Sequence, residues 1–302
     1  ARPPARRLAA GGAEAPMRDV DLSWIIERMV GRDTAASYRP PQHKIERELL
    51  RADGITLPKY GGGYLLDNVS FTLRAGEVLG IYGLMGAGRT ELFECLMGLH
   101  PNADGEVWLD DKKLSGTIDR RIKQGIMMIP EDRQREGLVP ELSVADNMLL
   151  ASLRNYLNAI YLSQPKAMSH VNRMVQELSI KVPNVQNLIS SLSGGNQQKV
   201  VVAKSMLTSP KVLLMDEPTR GIDVGAKEEI FEIMRKLAAQ GLGILFVSTE
   251  LKEIMAMADR ILVMSKGVIT RELSRADATQ QALVEASAIG HELVRKDVSA
   301  NG

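Results

Sequence analysis

Three stretches of this chain carry residue types at spacings that suit a triphosphate. In Leu192-Ser193-Gly194-Gly195-Asn196-Gln197-Gln198-Lys199-Val200, a serine and two adjacent glycines open a helix expected to run on from Gln197 to Leu207. A helix start leaves backbone N–H groups unpaired and carries the positive end of the helix dipole, so it attracts phosphate. The apolar run Val212-Leu213-Leu214-Met215 reads as a buried strand whose end delivers Asp216 and Glu217, followed by Pro218. At such a place one carboxylate can hold Mg²⁺ and the other can polarise a water. Taken alone, Ser-Gly-Gly is usually a loop and Asp-Glu at a strand end is usually a helix cap.

The third stretch joins them. Glu77 to Tyr82 reads as a buried strand, and Gly83-Leu84-Met85-Gly86-Ala87-Gly88-Arg89-Thr90 follows it as a loop. Gly83, Gly86, Gly88 and Thr90 fit the phosphate-cradling pattern, with the Thr90 hydroxyl aimed at Mg²⁺. The lysine of that pattern is replaced by Arg89, which keeps the charge but presents a planar fork where a compact ammonium would lie. ATP can still be held by the backbone donors and the helix start, while the transition-state geometry is altered.

These residues need a scaffold, and the composition supplies one. The 302 residues are 44 % hydrophobic, enough for a substantial core in one large domain or two small ones. A net charge of +1 gives no general pull toward nucleic acid or lipid. Cys95 is the single cysteine. It shares a predicted helix face with Leu92, Leu96 and Leu99, which makes it a packed thiol and rules out an internal disulfide. No apolar run approaches the ~18 residues that span a bilayer, so a transport role would require membrane partners on other chains. His100, His170 and His291 lie outside every motif and make no metal-ligand pattern.

In chain order, residues 1–16 are rich in Ala, Arg, Pro and Gly and are expected to be disordered; an organellar transit segment is the alternative. Residues 21–31 read as one short helix with Ser23 as cap, and 33–42 as a linker. Extended runs are expected over 45–57 and 65–73 around Gly61-Gly62-Gly63. Strands follow at 105–110 and 125–129, with a helix over 117–124 between them. From Pro140 to Ser191 the period turns helical: Ser143 caps with Asp146, Val171, Met174, Val175 and Leu178 share a face, and 155–165 connects the helices. After Glu217 come a helix with Ile230, Ile233, Met234 and Leu237 inward, a buried strand over 245–250, and two strands flanking Lys266-Gly267. A helix and a frayed tail close the chain.

Met85 to Leu92, Pro130-Glu131-Asp132-Arg133, Leu192 to Val200 and Asp216 to Lys227 together resemble the ATP-binding-cassette (ABC) family, in particular the C-terminal cassette of monosaccharide-importer ATPases of the ribose type. The likeness runs from about Asp21 to Gly290. It implies an α/β fold: a P-loop NTPase (RecA-like) core with an antiparallel β subdomain over 45–139 and 192–275, and an ABC α-helical subdomain over 140–191. Residues 1–44 would be a tail, the remnant helix of a preceding cassette and a linker; 276–302 would be a closing helix and tail. The alternative for 21–31 is a plain amphipathic leader helix.

The same resemblance implies ATP and Mg²⁺ as cofactors. Thr90 and Asp216 would be the metal ligands, and Glu217 and Thr249 the catalytic residues. Tyr60 would stack on adenine, or else pack beside its glycine turn. In ABC dimers Ser193, Gly194, Gly195 and Gln197 would complete the ATP site of a first cassette missing from this chain, or of a second copy, and Thr219 to Asp223 would link one site to the other. Two permease subunits and, indirectly, a periplasmic sugar-binding protein would be partners, at the cytoplasmic face of the inner membrane. Three positions depart from the family pattern: Arg89 for lysine, Glu131 for a γ-phosphate-sensing glutamine and Thr249 for histidine. They imply a site that binds more than it hydrolyses. The rival readings are a nucleotide-sensing regulatory cassette and a soluble non-transport ABC protein acting on ribosomes or DNA; the coiled coils or basic inserts usual in the latter are missing here.

Overall fold

The computed structural model describes residues 45–158 and 161–289, together with 8–10 and 13–15. The chain divides into two units, Ala1–Pro41 and Gln42–Gly302. In the first, β1 (Leu8–Ala10) pairs antiparallel with β2 (Ala13–Ala15), Ala10 opposite Ala13. Composition predicted no order here. The ribbon pairs backbone to backbone, which needs no large apolar side chain, and Gly11-Gly12 between its strands is a two-residue hairpin signal that a count of apolar residues misses. The predicted helix at 21–31 and linker at 33–42 lie outside the described residues.

The second unit opens with a hairpin, β3 (Glu48–Pro58) and β4 (Tyr64–Arg74), turning at Tyr60 to Gly63. Leu50, Ile55 and Leu57 of one strand and Leu66, Val69 and Leu73 of the other are buried. Then come β5 (Val78–Gly83), α1 (Arg89–Met97), β6 (Asp104–Leu109), β7 (Lys112–Lys113), α2 (Ile118–Gln124) and β8 (Ile126–Ile129). The antiparallel sheet has the order β4-β3-β6-β7. It shares one core with α1, whose Leu92, Phe93 and Leu96 are buried with Leu50, Leu57 and Leu73. Cys95 is buried on this helix, and burial pushes its thiol pKa up to about 12, so it is packing and not a nucleophile.

A helical region follows: a single π-turn (Arg133–Gly137), α3 (Val144–Leu149), a 3₁₀ stretch (Leu150–Tyr156), and α4 (Gln164–Glu177), with Val171 and Met174 inward. Much of the expected connection at 155–165 is a small ribbon of β9 (Leu157–Asn158) and β10 (Tyr161–Leu162). Ser143 caps α3 as predicted, its Oγ accepting from the Asp146 N–H at 3.0 Å and donating to the Asp146 carboxylate at 2.6 Å. Replacing Ser143 by alanine should lower unfolding free energy by about 1 kcal/mol, measured by urea titration.

The chain returns through α5 (Gly194–Met206), β11 (Val212–Asp216), α6 (Val224–Ala239), β12 (Gly243–Val247), α7 (Leu251–Met257), β13 (Arg260–Ser265), β14 (Val268–Ser274) and α8 (Gln280–Ala288). The second sheet has the order β14-β13-β5-β12-β11-β8, parallel except for β14. Every residue of β5, β11 and β12 is buried, as unbroken apolar runs require when both faces of a parallel sheet are covered. Because β5, β12 and β11 are neighbours in register, the loops leaving their carboxyl ends emerge side by side, where open α/β sheets bind ligands.

Candidate functional site

The loop from β5 to α1 takes its shape from glycines. Gly88, φ +96°, is the N-cap of α1, and a Cβ there would stand 2.9 Å from Leu66 Cδ2 and 3.0 Å from the Leu65 carbonyl oxygen. At Gly83 a Cβ would lie 2.5 Å from the Met264 carbonyl oxygen. Gly86 differs: its φ of +76° favours glycine, yet nothing lies within 4 Å of where a Cβ would be, because open cavity begins there. Behind the loop, Gly267 in the β13–β14 turn donates its N–H to the Ala87 carbonyl at 3.0 Å and accepts from the Asp67 N–H at 2.9 Å. The loop is thus tied to the β13–β14 turn, and through that turn to β4 of the other sheet.

In front of the loop is a cavity of about 550 Å³ lined by Gly86, Gly88, Arg89, Thr90, Glu131, Asp216, Glu217 and Thr249 among others. Thr90 Oγ1 donates to Asp216 Oδ2 at 2.8 Å, pairing a hydroxyl at the helix start with a carboxylate at the strand end. Arg89 Nη1 and Glu217 Oε1 face each other at 3.5 Å, both side chains about a tenth exposed (11 % and 10 %). Neither atom makes a hydrogen bond, so a buried cation and a buried anion lack full satisfaction. Thr249 Oγ1 donates to Glu217 Oε2 at 3.3 Å. The Glu217 backbone sits at φ +44°, a left-handed conformation uncommon outside glycine, which turns its carboxylate from the strand axis into the cavity.

Burial raises the pKa of Asp216 above the ordinary carboxylate range, against the lowering pull of the Thr90 hydrogen bond and of Arg89. Burial likewise raises Glu217, opposed chiefly by Arg89. A carboxyl group with a raised pKa is a stronger base when ionised, and a divalent cation between Thr90 and Asp216 would relieve the desolvation of the latter. The oxygen donors fit a hard cation, and the unsatisfied Arg89 Nη1 fits an anionic oxygen.

Eight of the residues singled out in the sequence therefore meet in the cavity. Gly83 lies beneath it. Tyr60 is fully exposed at the tip of the β3–β4 hairpin and is not part of the lining. Ser193, Gly194, Gly195 and Gln197 are also outside it, at the start of α5. The exposed Ser193 does not cap its own helix; its Oγ accepts from Asn196 Nδ2 at 3.0 Å. Gly195 is demanded by packing, since a Cβ would stand 2.5 Å from Ala226 Cβ of α6. Gln197 turns back on its own loop, donating to the Leu192 carbonyl at 3.2 Å and leaving Oε1 buried without a partner.

Glu131 lines the cavity but forms an ion pair with Arg220. Sequence reading placed Arg220 in the segment expected to link one site to the other, and gave no site role to Lys227 or Glu253. The Glu253 carboxylate, 6 % exposed, accepts from Thr219 Oγ1 and Ser248 Oγ, each at 2.7 Å, and from Lys227 Nζ at 2.8 Å. Arg220 stood within a motif segment, but no spacing rule tells which basic side chain of such a segment turns inward.

The comparisons agree with this geometry. The ribose import ATP-binding protein RbsA of Rhodopirellula baltica is 44 % identical over 268 residues, 87 % of this chain and 52 % of that protein. The xylose import ATP-binding protein XylG of Pseudomonas savastanoi pv. phaseolicola is 41 % identical over 283 residues, 92 % of this chain and 54 % of that one. The chain thus spans about half the length of these curated relatives. Among solved structures, a nucleotide-free ATP-binding cassette from an ABC transporter superposes with a TM-score of 0.69 at 23 % identity, over 80 % of this chain and 98 % of that one. A dimeric post-hydrolysis cassette bound to ADP and phosphate gives 0.65 at 23 %, over 75 % and 99 %. At that identity the likeness fixes the fold, that of a P-loop NTPase. The ABC transporter profile matches residues 66–220, a stretch that opens within β4, takes in the glycine loop and the start of α5, and ends just past Asp216 and Glu217. With phosphate loop, paired carboxylates and helix start all inside that match, the chain belongs to the ABC transporter family.

Proposed function

We propose that this chain is the second ATP-binding cassette of a monosaccharide importer, coupling ATP binding and hydrolysis to sugar uptake. One observation carries the reading: the Ser193–Gly195 helix start stands outside the cavity that holds Arg89, Thr90, Asp216 and Glu217. A phosphate-attracting helix tip that does not line its own chain's cavity suits a partner's nucleotide, supplied by a first cassette or a second copy. Closing on that ATP would add phosphate contacts that only the pair makes, and the closure would act on permease subunits through the helical region. The names of the relatives, ribose and xylose import proteins, favour a sugar as cargo, delivered by a binding protein to a permease with this chain at the cytoplasmic membrane face.

In the chain's own cavity, Thr90 and Asp216 would hold Mg²⁺, Arg89 would meet the terminal phosphates, and Tyr60 would approach the adenine. Mg²⁺, when bound, neutralises phosphate charge. Glu217 orients or deprotonates water there, helped by Thr249, but with Arg89 beside its carboxylate it does so poorly. This Arg89–Glu217 contact also favours a second reading, a nucleotide-sensing cassette that does not hydrolyse. The test is to measure Mg·ATP binding and turnover on the purified chain. Weak binding with slow turnover is expected; vigorous, Glu217-dependent turnover without a partner would overturn the proposal.

A further inference from the structure

Arg133 is a buried cation with no job in the cavity chemistry. Its side chain, in a residue 9 % exposed, donates from Nη1 to the Arg220 carbonyl at 2.8 Å and from Nη2 to the Gly221 carbonyl at 3.1 Å. No carboxylate lies within ion-pair distance of it among the described residues, and its Nε is buried without a partner. Burial lowers its pKa, with Asp132 opposing. Keeping a guanidinium from water with only carbonyls to hold is costly, and a chain that keeps one draws something from the position it imposes.

What Arg133 imposes is visible on its far side. A Cβ at Gly194 would stand 2.8 Å from Arg133 Nη2 and 3.2 Å from the Gly221 carbonyl oxygen. The guanidinium is therefore wedged between the 220–221 backbone, which lines the cavity, and the first residue of α5. It leaves from the first residue of the π-turn, a one-turn irregularity of the kind often found at functional sites, with Asp132 Oδ1 accepting the Gln134 and Arg135 N–H groups to hold that turn. Two residues earlier is Glu131, paired with Arg220 from the cavity side.

We infer that Arg133 is a positioning residue that fastens the cavity wall at Arg220–Gly221 to the Ser193–Gly194 helix start, so that the two edges offered to a second cassette move as one body. The inference rests on the paired-cassette reading above. A planar fork is needed because two carbonyls must be held at once; lysine keeps the charge but is a single point. A side chain at 194 would press on the tip of that fork, 2.8 Å from where its Cβ would stand, and push it off the carbonyls. The two requirements are the same contact seen from its two sides.

The experiment measures Mg·ATP turnover of the chain assembled with its partner cassette, or with a second copy, while association is followed by sedimentation. Arg133→Met should lower kcat about tenfold with KM held within about twofold, as expected for a residue that positions groups used only in the closed pair. Arg133→Lys should fall between Met and wild type. Gly194→Ala should also lower kcat in the wild-type background, yet add less than about twofold on top of Arg133→Met, since contacting residues are non-additive. Should Arg133→Met fold poorly by circular dichroism, Arg133→Lys and Gly194→Ala carry the decision. Undiminished turnover in these variants, losses that multiply, or a rise in KM at constant kcat would overturn the inference while leaving the paired reading intact. A wild-type chain that never associates in Mg·ATP removes both.

Discussion

Restoring a lysine at 89 and a histidine at 249 together should raise ATP turnover by the assembled cassette at least about tenfold, within the ~10²–10⁴ range of a well-placed acid–base partner. The reason lies in the 3.5 Å approach of Arg89 Nη1 to Glu217 Oε1 and the 3.3 Å bond from Thr249 to the same carboxylate. A guanidinium there competes with water for the base, and a threonine can donate one hydrogen bond without ever carrying charge. Lysine withdraws the fork and leaves a single ammonium for the phosphates; histidine offers a second titratable group beside Glu217. Steady-state phosphate release with single and double variants decides the matter. A double variant no faster than wild type would favour the sensing cassette, because the slow chemistry would then come from geometry that these two side chains do not control.

The second large effect is on stability. Glu253→Ala should lower the unfolding free energy by about 1–3 kcal/mol, the range for leaving buried polar groups without their acceptor. In a unit of this size that is a fall of roughly 2–12 °C in midpoint temperature by calorimetry. Its carboxylate receives Thr219, Ser248 and Lys227, so alanine leaves two hydroxyls without that acceptor, while Lys227 keeps its ion pair with Glu250. Glu253→Gln should cost less, since the amide still accepts one or two of those bonds. A change below about 1 kcal/mol, typical of an exposed pair, would mean that water already reaches the cluster.

Much of this was legible in the chain itself. The apolar runs at 78–82 and 212–215 read as buried strands because side chains covered on both faces leave no alternation, and the structure pairs them in a parallel sheet. Ser143 with Asp146 marked a helix start that the hydrogen bonds bear out. The cavity lining followed from motifs, because glycines and carboxylates at fixed offsets act through backbone geometry that sequence fixes locally. The missing parts depend on distant contacts. No spacing marks Arg133 or Glu253 as buried, and only folding brings the Arg220 and Gly221 carbonyls to the one and the Thr219 hydroxyl to the other, from 34 to 88 residues away. Gly195 was expected as a phosphate contact only, and its crowding against Ala226 depends on how α5 and α6 cross. At 8–10 and 13–15, composition misled because backbone pairing asks nothing of side-chain size.

The stitching of the glycine loop through Gly267 has a consequence for how any anion is received. With Ala87 tied to the β13–β14 turn and that turn tied to Asp67, the N–H groups ahead of α1 hold their directions before a guest arrives. Chain freedom lost there is lost during folding and subtracts nothing from affinity on arrival. Recognition then turns on charge and shape alone, and even a cassette poor at bond cleavage can remain a ready receiver.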